Sequence, residues 1–469
     1  MPKKYHINTK SEPLDLDYIF KFEIVRGENC INCGKCTKVC IYEAHKRRND
    51  DPRKMADPNT VVCRNCFRCI QQCPRGALEK SLSKEFSSVG GAYWKPDMLI
   101  SLWKQAENGN VPVSGAGYRG PFTGTGFDSM WTDMSEIVRP TRDGIHGREY
   151  ISTSVDLGRK LNHLAFDSDG QLASKIPHTV ALSIPIIFDI STHHLITNIK
   201  EAMVKAAEEI DTCVIIPVAE ITTELEKYSN NIIPCFVPSE IDKHESVLQK
   251  ARIVAIEYSD DVMKDFPGLK EKIKKLGHSL IIIRVPAVKN VESIATKLTH
   301  SGAEIIQIMA DYRGREFNSS ADTDGRHLKD IIRAVHLGLV EDRIRDDVTL
   351  IASGGIAMAE HVPKAMLCGA DLTTIDIPLL IALGARIYEE PEKLLILPEG
   401  LGKIPLPSVT QRIINLIGAW HSQILEMMGA MGIREARRLR GESGRAIFFE
   451  DIDKDTFGNL FRKRESVNR

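Results

Sequence analysis

The fold is decided by residues 348–377, VTLIASGGIAMAEHVPKAMLCGADLTTIDI. In this stretch two short apolar runs, VTLIAS and DLTTIDI, are separated by the amphipathic segment HVPKAMLCG. Runs this apolar, with little alternation, are typical of strands that are buried on both faces of a parallel sheet. The stretch therefore predicts a strand–helix–strand unit.

Six similar runs precede it from residue 178 onward, and amphipathic segments such as NIKEAMVKAAEEI and LKDIIRAVHLG lie between them. These runs are VALSIPIIFDI, TCVIIPV, NIIPCFV, RIVAIE, SLIIIRV and EIIQIM. Eight strands, each followed by a helix, favour an α/β fold of the closed (β/α)8 TIM-barrel type. A doubly wound open sheet is the alternative.

Eight of the eleven cysteines form two runs of one spacing in the first part of the chain. The runs are Cys30, Cys33, Cys36 and Cys40, and then Cys63, Cys66, Cys69 and Cys73. This is the ligand pattern of two 4Fe-4S clusters, in which the fourth cysteine of each run binds the other run's cluster. We therefore assign Cys73 to the cluster of the first run and Cys40 to the cluster of the second.

Disulfides and zinc are the other interpretations of such cysteines. A disulfide framework suits short secreted chains, whereas this chain has 469 residues and shows no signal segment. Paired C-x-x-C groups bind zinc, but here each run has three cysteines at that spacing and a fourth after three further residues. The second run ends in Cys73-Pro74, as ferredoxin repeats often do, and the first has Ile41 in place of that proline.

The charge balance argues against several partners. Lys and Arg number 62 and Asp and Glu 63, for a net charge of −1, which gives no support for a nucleic-acid partner or a polybasic membrane contact. No apolar stretch approaches the roughly eighteen residues that a membrane span needs. The iron–sulfur ligands and the missing signal segment predict a cytoplasmic location.

Changes in composition predict four segments. Residues 1–82 form a small α+β domain of the two-cluster ferredoxin type, 83–177 a connector or lid region, 178–403 the barrel and 404–469 a helical C-terminal extension. We interpret the glycine-rich piece GAGYRGPFTGTGFDSMW of the connector as a structural loop, since no strand–turn–helix context supports phosphate binding there. In the extension, SVTQRIINLIGAWHSQILEMMGAMG has apolar residues at helical spacing.

A phosphate site is predicted near the last two strands, where barrels of this type often bind one. Strand seven runs into Ser353, Gly354 and Gly355, and strand eight is preceded by Gly369 and Ala370. Glycines let backbone N–H groups close around a phosphate. The two glycine steps lie one βα unit apart, which favours a shared site.

Residues 335–386, VHLGLVEDRIRDDVTLIASGGIAMAEHVPKAMLCGADLTTIDIPLLIALGAR, resemble the FMN-binding barrel of the glutamate synthase family. IPIIFDISTHHLITNIKEAMVKAA resembles the first βα unit of that barrel, and residues 22–82 resemble bacterial-type two-cluster ferredoxin domains. The resemblance implies FMN bound at the predicted phosphate site. The residues assigned to this cofactor are Ser191, Arg284, Ser353, Gly354, Gly355, Gly369 and Ala370.

Arg284 stands as a single cation in the apolar run SLIIIRV. It is either a charge that reaches solvent or an ion pair, or a cation beside the N1/O2 edge of the flavin, where it would stabilise the anionic reduced form. A lysine of the family sits in a similar place, so the resemblance favours the flavin contact.

Polar side chains at strand ends are the candidate catalytic residues. His193 follows strand one, Glu220 follows strand two and Arg313 follows strand six. An arginine fork matches the carboxylates of a dicarboxylate substrate, and a histidine delivers a proton near neutral pH. Each residue is also compatible with a structural role.

The chain departs from the large glutamate synthases in three ways. It starts with Met1-Pro2 and leaves no room for a glutaminase domain, so a separate glutaminase subunit is expected. It has no cysteine after Cys368, so the family's 3Fe-4S cluster is missing and the two N-terminal clusters would take over its role. ADYRGREFNSS replaces a glycine-rich stretch of the family after strand six, which leaves the electron acceptor open.

The arrangement is most similar to the archaeal-type members of the family, in which ferredoxin clusters precede the FMN barrel. The resemblance implies an oxidoreductase acting on CH–NH2 donors, which passes electrons from two 4Fe-4S clusters to FMN and reduces 2-iminoglutarate, formed from 2-oxoglutarate and ammonia, to glutamate. The implied partner is an electron donor, either a ferredoxin or a reductase subunit. The alternative is an FMN and iron–sulfur electron-transfer subunit of a larger redox complex that acts on a different substrate.

Overall fold

The structure is a computed structural model. It describes residues 5–13, 19–60, 62–111, 120–134, 151–160, 164–173, 176–277, 280–317, 325–388 and 394–465. Part of the glycine-rich piece of the connector, residues 115–119, lies outside these ranges.

The strands in the described part of the chain are short, with three to seven residues each. The strands are β1 (Phe22–Arg26), β2 (Leu78–Leu82), β3 (Met130–Thr132), β4 (Val155–Leu157), β5 (Val180–Leu182), β6 (Ile186–Asp189), β7 (Val214–Pro217), β8 (Ile232–Phe236), β9 (Ile253–Glu257), β10 (Leu280–Pro286), β11 (Ile305–Met309), β12 (Thr349–Ser353), β13 (Leu372–Ile375), β14 (Arg386–Tyr388), β15 (Leu394–Ile396) and β16 (Ala446–Phe448).

The helices vary widely in length. They are α1 (Lys35–Val39), α2 (Arg68–Gln71), α3 (Lys84–Ser88), α4 (Pro96–Asn108), α5 (Thr197–Ile210), α6 (Thr223–Glu226), α7 (Glu245–Lys250), α8 (Asp260–Lys264), α9 (Phe266–Leu276), α10 (Val291–His300), α11 (Leu328–Glu341), α12 (His361–Leu367), α13 (Ile377–Ala382), α14 (Leu406–Ala430) and α15 (Phe449–Glu465).

The chain folds into two compact units. The cysteine-bearing unit comprises residues 13–103 and 384–398, and the barrel unit comprises residues 1–12, 104–383 and 399–469. The division of the sequence into four segments stays a prediction.

The cysteine-bearing unit is built on the antiparallel pair β1–β2, in which Phe22 lies opposite Leu82 and Arg26 opposite Leu78. The short helices α1 and α2 lie in the two cysteine runs. A small apolar core joins these elements. Its buried members are Ile24, Cys36, Met55, Cys69 and Leu78. A second antiparallel hairpin, β14–β15, belongs to the same unit.

The barrel unit holds eight parallel strands, β6 to β13, in a closed ring. Each strand pairs with the next, and β13 pairs with β6 so that Thr373 lies opposite Ile186. A helix follows every strand, from α5 after β6 to α13 after β13. The predicted (β/α)8 barrel is therefore confirmed. The open-sheet alternative is excluded, because the pairing of the first and last strands closes the sheet.

Apolar residues on both faces explain why these runs form the barrel. Every residue of β6, β8, β12 and β13 is buried. Such strands are covered outside by helices and inside by side chains from the opposite wall. Polar residues are few in these strands, and most of them lie near the carboxyl ends.

The long helix α14 forms part of the barrel unit and covers the segment predicted to be helical. Its Met427 and Met428 are buried, as core residues would be. The amide of Asn415 donates hydrogen bonds to the carbonyl oxygens of Lys10 at 2.6 Å and Ala106 at 3.0 Å, which joins distant parts of the chain to this helix. Among the helices in the described part of the chain, none is both long enough and apolar enough to cross a membrane.

Candidate functional site

Two recesses in the cysteine-bearing unit each bring four cysteines together. The first contains about 330 Å³ of space free of atoms and is lined by Cys30, Cys33, Cys36 and Cys73. The second contains about 310 Å³ and is lined by Cys40, Cys63, Cys66 and Cys69. The fourth cysteine of each run thus lies with the first three of the other run. Crosswise ligation of two clusters requires this arrangement.

The two recesses repeat one backbone geometry. The residue two positions after the first cysteine has a positive φ in both runs, 57° at Asn32 and 53° at Asn65. The residue four positions after it does so as well, with φ of 71° at Gly34 and 58° at Phe67. Left-handed residues turn the chain sharply. These turns bend each C-x-x-C-x-x-C run around its recess.

Backbone hydrogen bonds to sulfur are also repeated. The N–H of Ala44 donates to Cys40 Sγ at 3.4 Å, and the N–H of Ala77 donates to Cys73 Sγ at 3.3 Å. Each donor follows the fourth cysteine of its run by four residues. Such donors stabilise negative charge on a thiolate ligand. The two cysteine runs thus repeat one backbone contact to the sulfur of their fourth cysteine.

The structure also bears on the disulfide and zinc alternatives. All eleven cysteines lie in the described residues and all are free. Across the described ranges, no three His, Cys, Asp or Glu residues are grouped so as to share one metal ion. A zinc site needs its ligands to converge on a single ion, whereas each thiolate of a 4Fe-4S cluster binds an iron of its own. Four cysteine thiols at each recess match the number of ligands that a 4Fe-4S cluster needs.

The glycine turn of residues 353–355 lies at the carboxyl end of the barrel, directly after β12. Gly354 and Gly355 have φ of 96° and 65°. A Cβ at Gly355 would lie 2.5 Å from the backbone nitrogen of Gly314, in the loop after β11. Only glycine fits such a position without strain. This half of the predicted phosphate site is at the barrel end that the prediction requires.

Gly369 and Ala370 lie at the opposite end of the barrel, because they precede β13. The carbonyl oxygen of Gly369 accepts a hydrogen bond at 2.7 Å from Arg345, a residue that precedes β12. Four strand residues separate the two ends by roughly 13 Å. The prediction that Gly369 and Ala370 share a phosphate site with residues 353–355 is therefore wrong. The positive φ of Gly369 serves packing instead, since a Cβ there would lie 2.4 Å from the Cβ of His336.

Arg284 is buried inside the barrel on β10, with 2% of its surface exposed. It lies between Glu257 on β9 and Gln307 on β11 in the strand register. Its Nη1 is 2.7 Å from Glu257 Oε1, and its Nη2 is 2.8 Å from Asp189 Oδ2. Burial acts to lower its pKa, but the charge of Asp189 and its other neighbours raises the pKa above the ordinary value. Arg284 is thus a buried ion pair, and its contact with a flavin stays a prediction.

Ser191, which was assigned to the cofactor, is part of the same network. Its hydroxyl donates to Asp189 Oδ1 at 2.6 Å and accepts from Arg284 Nη1 at 2.8 Å. The amide of Gln307 donates to Asp189 Oδ2 at 3.0 Å. With Glu257 included, the network holds two carboxylates and one guanidinium. When both carboxylates are ionised, the formal charge of the network is therefore negative.

His193 and Glu220 both lie at the carboxyl end of the barrel. His193 Nε2 is 3.3 Å from Asp376 Oδ2, and the two residues follow β6 and β13, the strands that close the barrel. Glu220 Oε2 is 2.7 Å from Lys200 Nζ at the start of α5. Glu220 Oε1 also lies 3.4 Å from Nδ1 of the exposed His194. Each predicted residue thus has an oppositely charged or titratable partner.

Arg313 lies in the loop after β11, which Asp311 organises. The backbone N–H groups of Arg313 and Arg315 donate to Asp311 Oδ1 at 2.8 Å and 2.7 Å. Burial raises the pKa of the Asp311 carboxyl. The guanidinium of Arg313 lies 5.0 Å from the ring centre of Tyr312. The last residues of ADYRGREFNSS, 318–320, lie outside the described residues.

Sequence reasoning did not single out several polar residues that the fold brings to this end of the barrel. These residues are Asp189, Glu257, Gln307, Asp311 and Asp376. A signal for them existed, since Asp189, Glu257 and Gln307 each interrupt an apolar run near its carboxyl end, as Arg284 does. Polar residues at such positions point into the barrel or its mouth.

Comparison with known proteins gives matches over most of the chain. Residues 251–434 match a model described as the conserved region in glutamate synthase. The archaeal-type glutamate synthase (NADPH) of Dehalococcoides mccartyi is 26% identical over an alignment of 478 positions, which covers 90% of this chain and 94% of that protein. The archaeal glutamate synthase (NADPH) of Archaeoglobus fulgidus is 25% identical over an alignment of 492 positions, which covers 92% of this chain and 95% of that protein.

The closed (β/α)8 barrel with a glycine turn after its seventh strand, the two four-cysteine recesses and the glutamate synthase relatives together indicate an oxidoreductase. The match to the relatives extends over both of these parts. The chain is therefore similar to archaeal-type glutamate synthases over about nine tenths of its length, and residues 251–434 match the conserved region of glutamate synthase.

Proposed function

We propose that this protein is an iron–sulfur flavoenzyme that acts on CH–NH2 substrates and reduces 2-iminoglutarate, formed from 2-oxoglutarate and ammonia, to glutamate. The observation that carries the proposal is the grouping of eight cysteines into two recesses of four on a chain that is similar to glutamate synthases. Two one-electron sites and a flavin barrel are the parts needed to collect single electrons and deliver them in pairs.

The residues present fit both kinds of cofactor. Four thiols at each recess match the ligand set of a 4Fe-4S cluster. For FMN, the turn at residues 353–355 offers a backbone free of side chains at Gly354 and Gly355, which suits a phosphate. When bound, the clusters supply one-electron transfer and FMN supplies hydride transfer.

The protein's own groups at the barrel mouth would bind and orient the substrate. We assign His193 to hold a proton for the substrate, with Asp376 orienting its ring through Nε2. We assign Arg313 to a substrate carboxylate, because a guanidinium fork matches a carboxylate. Glu220 stays a candidate as one half of a charged pair with Lys200 at the same end of the barrel.

The polar network around Arg284 is proposed to face the flavin. Asp189 and Glu257 fix the guanidinium in position, so that it would not need to reorganise when charge develops on a bound ring. Ser191 joins this network and would reach the cofactor from the first barrel strand.

The proposal includes partners. Electrons would come from a ferredoxin or a reductase subunit, and the names of the relatives, which include NADPH, make NADPH the ultimate donor to test first. Ammonia would come from a separate glutaminase subunit or from solution. A cytoplasmic location is part of the proposal, because eight free thiols need a reducing compartment.

A second candidate is the same redox machinery acting on a different substrate, as a subunit of a larger complex. The loop after β11 favours it. Asp311 binds the backbone of Arg313 and Arg315, and Gly314 packs against Gly355, so this loop has its own ordered structure in place of the family's glycine-rich stretch. Substrate specificity lies in such loops at the carboxyl end of a barrel.

The test is anaerobic turnover with the full-length protein. Purified protein with its clusters and flavin is given 2-oxoglutarate and ammonium, with NADPH or a reduced viologen as donor, and glutamate is measured. Glutamate formation with the viologen supports the proposal, and formation with NADPH also identifies the donor. If clusters and flavin are intact but 2-oxoglutarate causes no oxidation of the viologen, the first candidate is excluded and the second stands.

A further inference from the structure

The two cysteine recesses share a backbone geometry, but their fixed charges differ. Lys35 and Arg68 line the first and second recess at matching positions, five residues after the first cysteine of each run. Arg75 lines the first recess and Arg64 the second, and both are exposed. Each recess therefore has two exposed cations of this kind.

Arg26 is the charge that has no match. It lines the first recess, four residues before Cys30. The matching position in the second half, four residues before Cys63, is the uncharged Asn59. Arg26 breaks the approximate symmetry of the two sites.

Arg26 is also held firmly against a ligand sulfur. Its Nη1 donates to Cys30 Sγ at 3.3 Å. Its Nε and Nη2 donate to the carbonyl oxygen of Ala56 at 3.3 Å and 3.0 Å. Arg26 is half-buried on β1, whereas the other four cations of the two recesses are exposed. Salt and solvent screen exposed charges far more than buried ones, so Arg26 has the largest effect of the five.

The second recess has a different polar group, His45, which is 1% exposed. Burial and the charge of Arg26 lower the pKa of this histidine.

A nearby cation and a hydrogen bond to a ligand sulfur both favour the reduced state of an iron–sulfur cluster, because reduction adds one negative charge. We propose that Arg26 makes the cluster bound by Cys30, Cys33, Cys36 and Cys73 the one with the higher reduction potential, so that the first electron to enter the pair rests there. This inference rests on the proposed function, which supplies the clusters.

The test is potentiometry on the full-length protein, followed by electron paramagnetic resonance, with dithionite as the one-electron reductant. Wild-type protein is expected to show two couples. Arg26→Gln is expected to lower the higher couple by more than it lowers the other, and Arg26→Lys to lower the higher couple less. Arg64→Gln, which removes an exposed charge at the second recess, is the matched control and is expected to move either couple less than Arg26→Gln does.

A Cys66→Ala variant assigns the couples, because it removes a ligand of the second cluster and should alter only the lower one. The inference is overturned if Arg26→Gln leaves both couples unchanged, if it moves the lower couple by more than the higher one, or if Arg64→Gln has the larger effect. If Arg26→Gln does not take up iron, Arg26→Lys decides by the same criterion. Wild-type protein without cluster signals would instead overturn the proposed function.

Discussion

The Arg284 guanidinium and the Asp189 carboxylate meet inside the barrel, with Nη2 and Oδ2 2.8 Å apart. Arg284 is on the fifth strand of the barrel and Asp189 on the first, so the pair joins opposite walls. A buried ion pair adds little net stability, but removing one partner leaves a buried charge without compensation. This relationship gives two predictions.

The first concerns stability. Arg284→Met should lower the free energy of unfolding by about 3–5 kcal/mol, because Asp189 and Glu257 would remain buried or partly buried without their cation. Chemical denaturation measures the change. Arg438→Met, at an exposed arginine 4.0 Å from Glu435, is the control and should cost less than about 0.5 kcal/mol. A loss for Arg284→Met as small as that of the control would contradict the buried pair.

The second concerns the flavin. Arg284→Ala should lower the midpoint potential of bound FMN, since two carboxylates would then face the site without the guanidinium. Potentiometry of the flavin absorbance measures this, with Arg284→Lys as the variant that keeps the charge and should retain most of the wild-type potential. An unchanged potential in Arg284→Ala would place the guanidinium away from the ring.

The glycine turn gives a third prediction. Gly355→Ala should weaken FMN binding at least about tenfold, equivalent to 1.4 kcal/mol, because its Cβ would force the turn away from Gly314. Gly170→Ala is the matched control, since Gly170 has a similar φ of 75° but no atom within 4 Å of the added Cβ. Equal FMN affinity in the two variants would show that the turn does not form the phosphate site.

The grouping of the cysteines gives a fourth prediction. Cys73→Ser and Cys33→Ser should alter the spectrum of one cluster, whereas Cys40→Ser and Cys66→Ser should alter that of the other. Electron paramagnetic resonance of the four reduced variants measures this. If Cys73→Ser changed the same signal as Cys66→Ser, each run would hold its own cluster and crosswise ligation would be excluded.

A fifth prediction concerns pH. His421 is buried on α14 with its Nε2 3.1 Å from Thr153 Oγ1, and burial, with a contribution from His6, lowers its pKa to about 4. Between pH 6.5 and 4 the unfolded chain therefore binds a proton that the folded chain does not. Stability from this group is complete above pH 6.5 and falls by about 1.4 kcal/mol per unit as the pH decreases below it.

Denaturation at pH 7.5 and pH 5.5 tests this, with wild type expected to lose roughly 1 kcal/mol more than His421→Gln over that interval. The variant removes the titrating group and keeps a hydrogen-bond donor near Thr153. Parallel pH profiles for the two proteins would mean that His421 does not titrate abnormally.

The sequence predicts the barrel well because its strands are buried on both faces and therefore appear as continuous apolar runs. All eight predicted runs contain a barrel strand, and their number predicts closure correctly. The grouping of cysteines also follows from local spacing. In both cases the information lies within one element or in a simple repeat of it.

Local sequence could mark the polar residues of the interior network, but it could not predict which of them pair. Arg284 finds Asp189 at a separation of 95 residues and Glu257 at a separation of 27. Nothing local to Arg284 indicates that both carboxylates will reach it. The prediction for Gly369 was wrong for a different reason. A glycine before a strand and a glycine after a strand look alike in sequence, but they lie at opposite ends of a parallel barrel.

The hairpin β14–β15 comes between the last barrel helix and α14, yet it belongs to the cysteine-bearing unit. There, Arg386 Nη1 is 2.6 Å from Glu85 Oε1, and the N–H of Gly90 donates to the carbonyl oxygen of Ile387 at 2.7 Å. No single break in the chain releases that unit whole. A fragment cut after residue 103 would lack the hairpin, so it would not contain the whole cysteine-bearing unit.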